Sequence, residues 1–395
     1  MLLGFISISY FFSLLLHLPV LVTTLLIILY GFFSYKWMLK NIATESTPTP
    51  SNKYAIASYI ILLVGIIIIT NKLYYFEHKY GDWDAWLIWN YHAKFLAHPE
   101  YWKQLFTINK SSHPDYPLFT PGNIGFFWRL SGTDSQLIPF ALSFFITLLI
   151  PVVIFLSLYQ KNLIIAGLAL ILLATDEFYL IHAIAQYADA PLGLLFLCTI
   201  ISASYLKTNK YIPLIIGALL GCCMWMKNEG VMLSLLFCLF YIKDILVDGR
   251  WKYFIAGITV PLLAIIVFKT MAPANNLLEN RTVPLVDYLT DSSRYKLIAS
   301  YLLDNLNNNF AIAKYGLIVY LVFCIAKKQF PGKDMWLLLS CVAGYFFVYV
   351  FSNQGLEWHL QTSMDRVLLQ LMPSFVYVIA VKLSSLNIPF LSKQL

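Results

Sequence analysis

Charged residues are scarce in this chain of 395 residues. They make up 12% of the sequence, whereas about a quarter of an ordinary soluble domain is charged. Hydrophobic residues make up 59%, and the mean hydropathy is +0.71. This composition excludes a soluble enzyme, a disordered protein and a nucleic-acid-binding protein.

The chain also lacks the short motifs of soluble catalysis. It has no Walker loop, no glycine pattern of a dinucleotide-binding fold, no zinc-binding HExxH and no nucleophile elbow. Its six cysteines all lie inside apolar runs, where a thiol behaves as a small hydrophobic group. The cysteines therefore indicate neither a disulfide framework nor a metal cluster.

Long apolar runs recur along nearly the whole sequence. Each is about 17 to 22 residues long, which is enough to cross a hydrocarbon core about 30 Å thick as a helix. They predict an all-α polytopic membrane protein of about 11 to 12 transmembrane helices, with residues 1–395 as a single transmembrane domain. Leu2–Tyr35 is either one long helix or two short ones. The other predicted spans are 54–75, 135–158, 162–178, 189–206, 211–226, 229–242, 253–270, 309–326, 335–352 and 366–382.

Basic residues collect in the short loops of one side if the spans alternate from a cytoplasmic segment at 36–53. Those loops carry fourteen of the 27 basic residues and only four acids. Because short cytoplasmic loops are enriched in Lys and Arg, this distribution predicts the orientation and leaves most acids on the outer face. Rich Lys and Ile usage with short loops is typical of a bacterial cytoplasmic (inner) membrane, so any active site would face the periplasm.

Two long connections lie on the predicted outer side, over 76–134 and 271–308. The first loop is rich in aromatic and titratable residues and predicts amphipathic helices, one of them over Asp84–Leu96. Trp83, Trp86 and Trp89 accompany that helix. Since Trp favours the headgroup level of a membrane, the helix is expected to lie along the outer membrane surface.

Asp82 and Asp84 stand at the start of this interfacial helix. A carboxylate walled by indole rings is partly desolvated, which raises its pKa and suits it to accept a proton from a hydroxyl. Asp is also a preferred helix N-cap. One division of roles has Asp82 as the cap and Asp84 in the site.

A proline-framed turn follows in the same loop, with the sequence His113-Pro114-Asp115-Tyr116-Pro117. Proline restricts its own backbone and that of the preceding residue, so the segment is a fixed turn that can hold three polar side chains in a set geometry. The alternative is a plain re-entry turn before the next span.

Further ionisable residues flank apolar runs on the outer side. Asp189 opens one predicted span, and Lys227 and Glu229 lie between two others. Ionisable groups near membrane depth are uncommon without pairing or function. Lys227 and Glu229 either contribute to a site or neutralise each other at a turn.

The last outer connection contains His359 and leads to Arg366 and Gln370. An Arg at the outer end of a span runs against the positive-inside bias and is suited to bidentate phosphate binding. It is also able to reach lipid headgroups or to pair with Asp365. Gln370 lies one turn further along the same face.

In chain order these motifs resemble those of the GT-C superfamily, which are multispan glycosyltransferases that use lipid-phosphate sugars. The most similar branch is that of the bacterial aminoarabinose transferases and protein mannosyltransferases. The resemblance covers nearly the whole chain, although the chain lacks the C-terminal periplasmic domain that some members carry. The matching features are the acidic first outer loop, Tyr116-Pro117-Leu118, Asp189-Ala190-Pro191-Leu192, the Lys-x-Glu-Gly turn at Lys227, and Arg366.

The resemblance implies roles for the matching residues. Asp84, or failing that Asp82, would be the general base on the acceptor hydroxyl. Asp115 and Tyr116 stand where the family has Lys-Pro, so the phosphate contact expected there is altered. The residues expected at the donor phosphate are Arg366, Lys227, Tyr116, His113 and Gln370. The residues expected at the substrate are Trp83, Trp86, Asp115, Asp189, Glu229 and His359.

The reaction implied is a single in-line displacement that inverts the anomeric carbon. Its partners would be a polyprenyl-phosphate sugar donor, the lipid bilayer and a glycan, lipid or protein acceptor, with no nucleic acid. No cofactor is required, and a divalent metal between Asp189 and the phosphate stays open. The alternatives are a flippase or transporter of lipid-linked sugars, or a polymerase or ligase that uses the same donors.

Overall fold

The structure, a computed structural model, describes residues 1–42, 52–75, 80–274 and 284–385. Throughout these ranges the regular secondary structure is helical, and no strand occurs in them. The predicted all-α polytopic membrane fold is confirmed. Residues 43–51 of the predicted cytoplasmic segment lie outside the described residues, as do 76–79 and 275–283 of the two long outer loops.

The elements follow one another with short connections. In chain order the α-helices are α1 (Leu2–Leu15), α2 (Val20–Asn41), α3 (Asn52–Tyr75), α4 (Asn90–Leu96), α5 (Phe119–Ser131), α6 (Leu137–Leu158), α7 (Leu163–Thr175), α8 (Glu177–Ile184), α9 (Asp189–Ala203), α10 (Ile212–Met226), α11 (Glu229–Leu246), α12 (Trp251–Met271), α13 (Leu285–Thr290), α14 (Ser292–Asn308), α15 (Ala311–Ala326), α16 (Lys333–Val350), α17 (Leu356–Leu369) and α18 (Met372–Ser384). A π-helical turn, Ala85–Trp89, leads directly into α4, and short 3₁₀ turns cover Trp102–Thr107, Lys110–Ser112 and Val247–Gly249.

Seven helical segments in the described ranges are long and apolar enough to cross a membrane. The number reaches nine if two bent helix pairs each form one span: α7 with α8, bent by 65°, and α14 with α15, bent by 94°. Three shorter apolar helices, α1, α9 and α10, have 14 or 15 residues each. The ten predicted spans fall on helices, but 162–178 runs from α7 into α8, and 366–382 covers the end of α17 and most of α18. The predicted total of about 11 to 12 includes the shorter helices.

The start of the chain forms two helices, which answers the question that hydropathy left open. After α1 the backbone of His17 is left-handed, with φ 55°, and Pro19 is extended before α2. Proline cannot donate the hydrogen bond that would continue α1. Across the break, the hydroxyl of Thr23 donates to Ser13 Oγ over 2.7 Å, so the two helices are joined by a buried polar contact.

The chain divides into two compact units. The first unit comprises Met1–Thr49, Phe76–Ile146 and His182–Ala274, and the second comprises Pro50–Tyr75, Thr147–Ile181 and Asn275–Leu395. The first unit contains the long first outer loop and α9 to α12. The second contains α3, α7 and α13 to α18.

In the first unit, glycines let α10 and α12 approach until their backbones touch. A Cβ at Gly217 would overlap the carbonyl oxygen of Phe254, and a Cβ at Gly257 would overlap that of Leu214. Gly221, four residues after Gly217, packs on the ring of Pro261. Small residues spaced in this way are typical of tightly packed membrane helices, because van der Waals contact rather than water exclusion holds such helices together.

Helix α1 is hydrogen-bonded to the first outer loop at two points, Leu96 and Leu118. The phenolic O–H of Tyr10 donates to the Leu96 carbonyl over 2.6 Å, and the hydroxyl of Ser7 donates to the Leu118 carbonyl over 2.7 Å. Ser7 in turn accepts the indole N–H of Trp225 at 2.9 Å. These buried bonds hold the stretch between Leu96 and Leu118 against the helices of the first unit.

In the second unit, the guanidinium of Arg294 caps the end of α16. It donates to the carbonyl oxygens of Val350, Tyr349 and Ser352 over 3.2, 3.1 and 2.9 Å. The last carbonyls of a helix have no partner within the helix, and a cation there also offsets the negative end of the helix dipole. Elsewhere in this unit, Gly65 of α3 packs directly on Leu170 of α7.

The backbone contact between α10 and α12 predicts a sharp difference between two glycines. Gly217→Ala forces the helices apart, and we expect it to lower the free energy of unfolding by about 1–3 kcal/mol. Gly31→Ala in α2 is the matched control, because nothing lies within 4 Å of a Cβ there. In that open helical position alanine should be neutral or stabilise by up to about 1 kcal/mol. Thermal unfolding in detergent would measure both, and equal melting temperatures would contradict the close packing.

Candidate functional site

The site is built around the break between α10 and α11. Helix α10 ends at Met226, Lys227 is extended with φ −159° and ψ 154°, and α11 begins at Glu229. The turn is tight because Gly230 sits on the carbonyl of Cys223, where a Cβ would overlap it. The break therefore presents three consecutive polar side chains, those of Lys227, Asn228 and Glu229, at the end of a helix pair.

Lys227 is buried and is held by two carboxylates. Its Nζ lies 3.0 Å from Asp189 Oδ1 and 3.0 Å from Glu229 Oε1. The side chains of Lys227 and Asp189 are 7% and 2% exposed, so neither charge is solvated by water. The pairing of Lys227 with Glu229 that the sequence suggested is present, but Lys227 also contacts Asp189. Asp189 occupies the first turn of α9, where a negative charge offsets the helix dipole.

Asp115 is held in place from two sides. The side-chain amide of Asn228 donates to Asp115 Oδ2 over 3.0 Å. The ammonium of Lys269 donates to the Asp115 backbone carbonyl over 2.8 Å and to Asn228 Oδ1 over 3.0 Å. Lys269 lies in the last turn of α12, and the close packing of α10 and α12 brings it beside the α10–α11 break. The predicted proline-framed turn is thereby tied to the Lys227 turn.

His113 stands next to Asp115 with an unusual backbone. Its φ is 49°, in the left-handed region that few non-glycine residues adopt. Its ring stacks on Tyr116 with the centroids 4.5 Å apart, and Tyr116 stacks on Trp89 at 5.6 Å. His113 Nδ1 lies 3.9 Å from Asp115 Oδ1, within ion-pair range but beyond a hydrogen bond.

The protonation of His113 reflects the charges around it. Partial burial lowers the pKa of His113, the carboxylates of Asp115, Asp84 and Glu229 act to raise it, and Lys227 acts to lower it further. The net direction is downward, so the imidazole is neutral at pH 7. The same interactions show that residues from distant parts of the sequence converge electrostatically on His113.

The predicted helix over Asp84–Leu96 is present, as the π-helical turn Ala85–Trp89 followed by α4. Trp83 and Trp86 are 66% and 55% exposed beside Asp84. Asp82 takes part in the turn itself: its Oδ1 accepts the Trp83 N–H over 2.7 Å, and its own N–H donates to the Ala185 carbonyl over 3.2 Å. This engagement fits the division of roles in which Asp82 is structural and Asp84 belongs to the site.

A buried amide pair joins this helix to the segment before Asp189. Asn90 Nδ2 donates to Gln186 Oε1 over 2.8 Å, and both side chains are buried. Gln186 has a left-handed backbone with φ 65°, and Gly81 approaches its amide so closely that a Cβ would lie 2.9 Å from Oε1. The pair fixes the Asp84 helix relative to the start of α9.

His92 is fully buried under the loop and contacts the residue before His113. Its Nε2 lies 2.6 Å from the Ser112 carbonyl, which can only accept, so Nε2 carries the proton. Burial lowers the pKa of His92 to about 4. His92 is therefore neutral, and it positions the chain at Ser112 rather than taking part in proton transfer.

Three predicted site residues belong to the second unit. Gln370 is buried and its Oε1 accepts the phenolic O–H of Tyr345 over 2.5 Å. Arg366 donates from Nε to the Thr362 carbonyl one turn earlier in α17. The ring of His359 bonds Ser352 Oγ through Nδ1 at 2.8 Å. Their expected role in phosphate or substrate binding stays a prediction from the sequence.

Direct contacts thus join six first-unit candidates in one cluster: His113, Asp115, Tyr116, Asp189, Lys227 and Glu229. Asp84 acts on His113 electrostatically. The structure also adds residues that the sequence did not single out. Lys269, Asn228 and the Asn90–Gln186 pair are the additions. Lys269 had a usable signal, because a Lys in the last turn of a span on the predicted outer side runs against the positive-inside bias. The amide pair had none, since Gln186 lies far from Asn90 in the sequence.

The cluster contains four carboxylates, two ammonium groups, an imidazole and one exposed wall of indole rings. The described part of the chain holds no group of three or more His, Cys, Asp or Glu side chains that could bind a metal, and the Asp189 carboxylate is engaged by Lys227. A neighbouring cavity lined by Asn123, Gln186 and Tyr187 has a volume of about 20 Å³, the size of a water molecule. The exposed rings of Trp83 and Trp86 offer a larger ligand an open surface beside Asp84.

No family model matches this chain, and no curated protein or solved structure is significantly similar to it.

The buried Lys227–Asp189 pair predicts strong energetic coupling. Lys227→Met leaves the Asp189 carboxylate buried without its cation, and we expect a loss of about 3–5 kcal/mol in unfolding free energy. The double variant Lys227→Met/Asp189→Asn removes both charges and should recover part of that loss. SDS titration in mixed micelles would measure the cycle, and strictly additive effects of the two substitutions would contradict the pairing.

The buried neutral His92 predicts acid sensitivity. Between its ordinary value of 6.5 and its folded value of about 4, the unfolded chain binds a proton that the folded chain does not, so stability falls as the pH is lowered through this window. The expected loss is about 3 kcal/mol at most. His92→Gln retains a donor for Ser112 and should flatten the dependence. His98→Gln, with a half-exposed side chain, should leave it unchanged, and identical slopes in all three proteins would refute the assignment.

Proposed function

We propose that this membrane protein is a glycosyltransferase that moves a sugar from a polyprenyl-phosphate donor to an acceptor hydroxyl. The observation that supports this most is the grouping of Asp189 and Glu229 on Lys227 beside the Asp115–His113 pair, with the charge of Asp84 acting on the same imidazole. Exposed indole rings flank Asp84. This is a polar, acid-rich site in an otherwise apolar chain.

The composition of the cluster suits a carbohydrate. Carboxylates accept hydrogen bonds from hydroxyl groups, and amides both accept and donate them. The exposed rings of Trp83 and Trp86 are suited to cover the apolar face of a sugar ring. The sugar would lie on the open side of the cluster, beside these indole rings. A donor that resides in the bilayer would reach such a site along the membrane surface.

In the proposed reaction Asp84 takes the proton of the acceptor hydroxyl. The hydroxyl oxygen attacks the anomeric carbon while the bond from that carbon to the lipid phosphate breaks, and the phosphate leaves with the electron pair. A single displacement inverts the anomeric centre. Lys227 is the cation to which we assign the role of offsetting the negative charge that develops on the phosphate. Positioning with charge stabilisation would supply most of the catalysis. Arg366 as a phosphate ligand rests on its position in the sequence and on the resemblance.

The proposed setting is the cytoplasmic membrane of a bacterium, with the cluster on the periplasmic face. The bias of Lys and Arg toward the other loops supports this orientation. The acceptor, a glycan, a lipid or a protein, would approach from the periplasm.

The test is transfer of radiolabelled sugar from a panel of polyprenyl-phosphate donors by purified protein in detergent. We expect Asp84→Asn to lower the initial rate by at least about 100-fold, because general-base catalysis contributes that much, and Asp82→Asn to retain most of it. Both variants must keep the wild-type melting temperature. Transfer that is indifferent to Asp84, or movement of labelled lipid-linked sugar across proteoliposomes with no donor consumed, would replace the transferase with a flippase.

A further inference from the structure

We propose that a basic patch on the first unit, at the helix ends away from the acid-rich cluster, binds the headgroup of an anionic phospholipid. The basic patch comprises residues 36–41 at the end of α2, residues 204–211 between α9 and α10, and residues 243–253 between α11 and α12. The inference is independent of the glycosyltransferase proposal, because it uses none of the residues assigned to that reaction.

The basic patch and the cluster lie at opposite ends of the same helices. Helices α9 and α11 begin at the cluster, where α10 ends, so the other ends of all three helices meet at the patch. At a rise of 1.5 Å per residue, the 15 residues of α9 and the 18 of α11 are roughly 22 and 27 Å long. Because a hydrocarbon core is about 30 Å thick, the patch lies at the headgroup level of the leaflet opposite the cluster.

Hydrogen bonds join the three segments of the patch. Asn209 Nδ2 donates to the Asn41 backbone carbonyl over 2.7 Å, which fixes the α9–α10 connection to the end of α2. The guanidinium of Arg250 donates to the Leu206 carbonyl, which fixes the α11–α12 connection to the same loop. Asp248 lies 3.6 Å from Arg250 and is thereby engaged within the protein. The three segments therefore form one surface.

Aromatic rings connect the same segments. The ring of Tyr211 stands edge-on to that of Trp37 in α2, with centroids 5.3 Å apart, and to that of Tyr253 in α12, at 5.1 Å. The ammonium of Lys210 lies over the Tyr211 ring, 5.1 Å from its centroid. Since Trp and Tyr favour the membrane–water interface, these rings support a position of Lys210 at the depth of lipid phosphates.

Positive charge dominates the patch. Its basic residues are Lys36, Lys40, Lys207, Lys210, Lys243, Arg250 and Lys252, and its acids are Asp244 and Asp248. The six lysines are exposed, whereas the Arg250 side chain is 16% exposed and paired with Asp248. Like charges on one surface repel one another, and an anion bound among them removes that repulsion. The phosphate of an anionic lipid supplies such a charge at this depth.

Apolar side chains beside the lysines favour a lipid over a free anion. Leu39, Leu246 and Trp251 are exposed next to or near basic residues of the patch. A soluble phosphate would gain nothing from these side chains, whereas the acyl chains of a phospholipid pack against them while its headgroup reaches the ammonium groups. Lysine suits this arrangement, because its stem lies along apolar surface and its charge extends to the interface.

The variants separate a local site from a general effect of charge. Lys207→Gln/Lys210→Gln removes two exposed charges from the patch, and Lys207→Arg/Lys210→Arg keeps them. Lys327→Gln/Lys328→Gln is the matched control, because it removes two exposed charges from the α15–α16 connection of the second unit, on the same predicted side of the membrane. All variants should keep the wild-type melting temperature in detergent.

The measurement is a lipid titration of the purified protein in detergent, followed by native mass spectrometry. Phosphatidylglycerol and phosphatidylcholine with identical acyl chains are the two probes. We expect the wild type to bind phosphatidylglycerol at least about 10-fold more tightly than phosphatidylcholine. The Gln double variant should lose about 10- to 30-fold in phosphatidylglycerol affinity with phosphatidylcholine binding unchanged. The Arg double variant and the second-unit control should behave as wild type.

Three results would overturn the proposal. Equal wild-type affinity for the two lipids removes the preference for an anionic headgroup, and this comparison needs no variant. Equal losses in the Gln double variant and in the second-unit control leave only a general effect of charge. Displacement of phosphatidylglycerol by an equal concentration of glycerol phosphate would make the patch a site for a free anion.

Discussion

The buried ammonium of Lys227 is the constraint on which the site depends. A charge removed from water must be paired at short range, and its partners here come from different parts of the chain. Asp189 opens α9, and Glu229 opens α11 on the far side of the α10–α11 break. The pairing therefore requires the N-termini of α9 and α11 and the C-terminus of α10 to lie at the same level. Once these ends are aligned, Asn228 faces Asp115, and the proline-framed turn is held with its histidine toward the charges.

Much of the fold follows from hydropathy alone, because each apolar run must satisfy its own backbone as a helix. The apolar runs predicted the membrane-spanning helices among α3 to α18. The acid-rich first loop predicted Asp84, His113 and Asp115 as site residues. What hydropathy does not encode is the point at which an apolar run breaks. Pro19 after the left-handed His17 separates α1 from α2, and the α17–α18 boundary falls inside a run that reads as one helix.

The site was only partly predictable for a related reason. Residues that are close in sequence could be grouped, as with Lys227 and Glu229. Residues joined by packing could not: Lys269 reaches Asn228 through the glycine contact of α10 with α12, and Asn90 reaches Gln186 through a left-handed turn. Arg366 and Gln370 are the opposite case, because residues that are close in sequence need not share partners in the structure. They share a helix end in the sequence, and the structure gives them separate partners within the second unit.

The glycine contact between α10 and α12 has a mechanical consequence. Side chains yield by changing rotamer, but two backbones in contact have no such freedom, so the helices must tilt and slide as one rigid body. Membrane helices adjust their tilt to the thickness of the surrounding bilayer. In this pair any such adjustment moves Lys269 and Asn228 together. The charged end of the pair therefore keeps its internal alignment during such an adjustment.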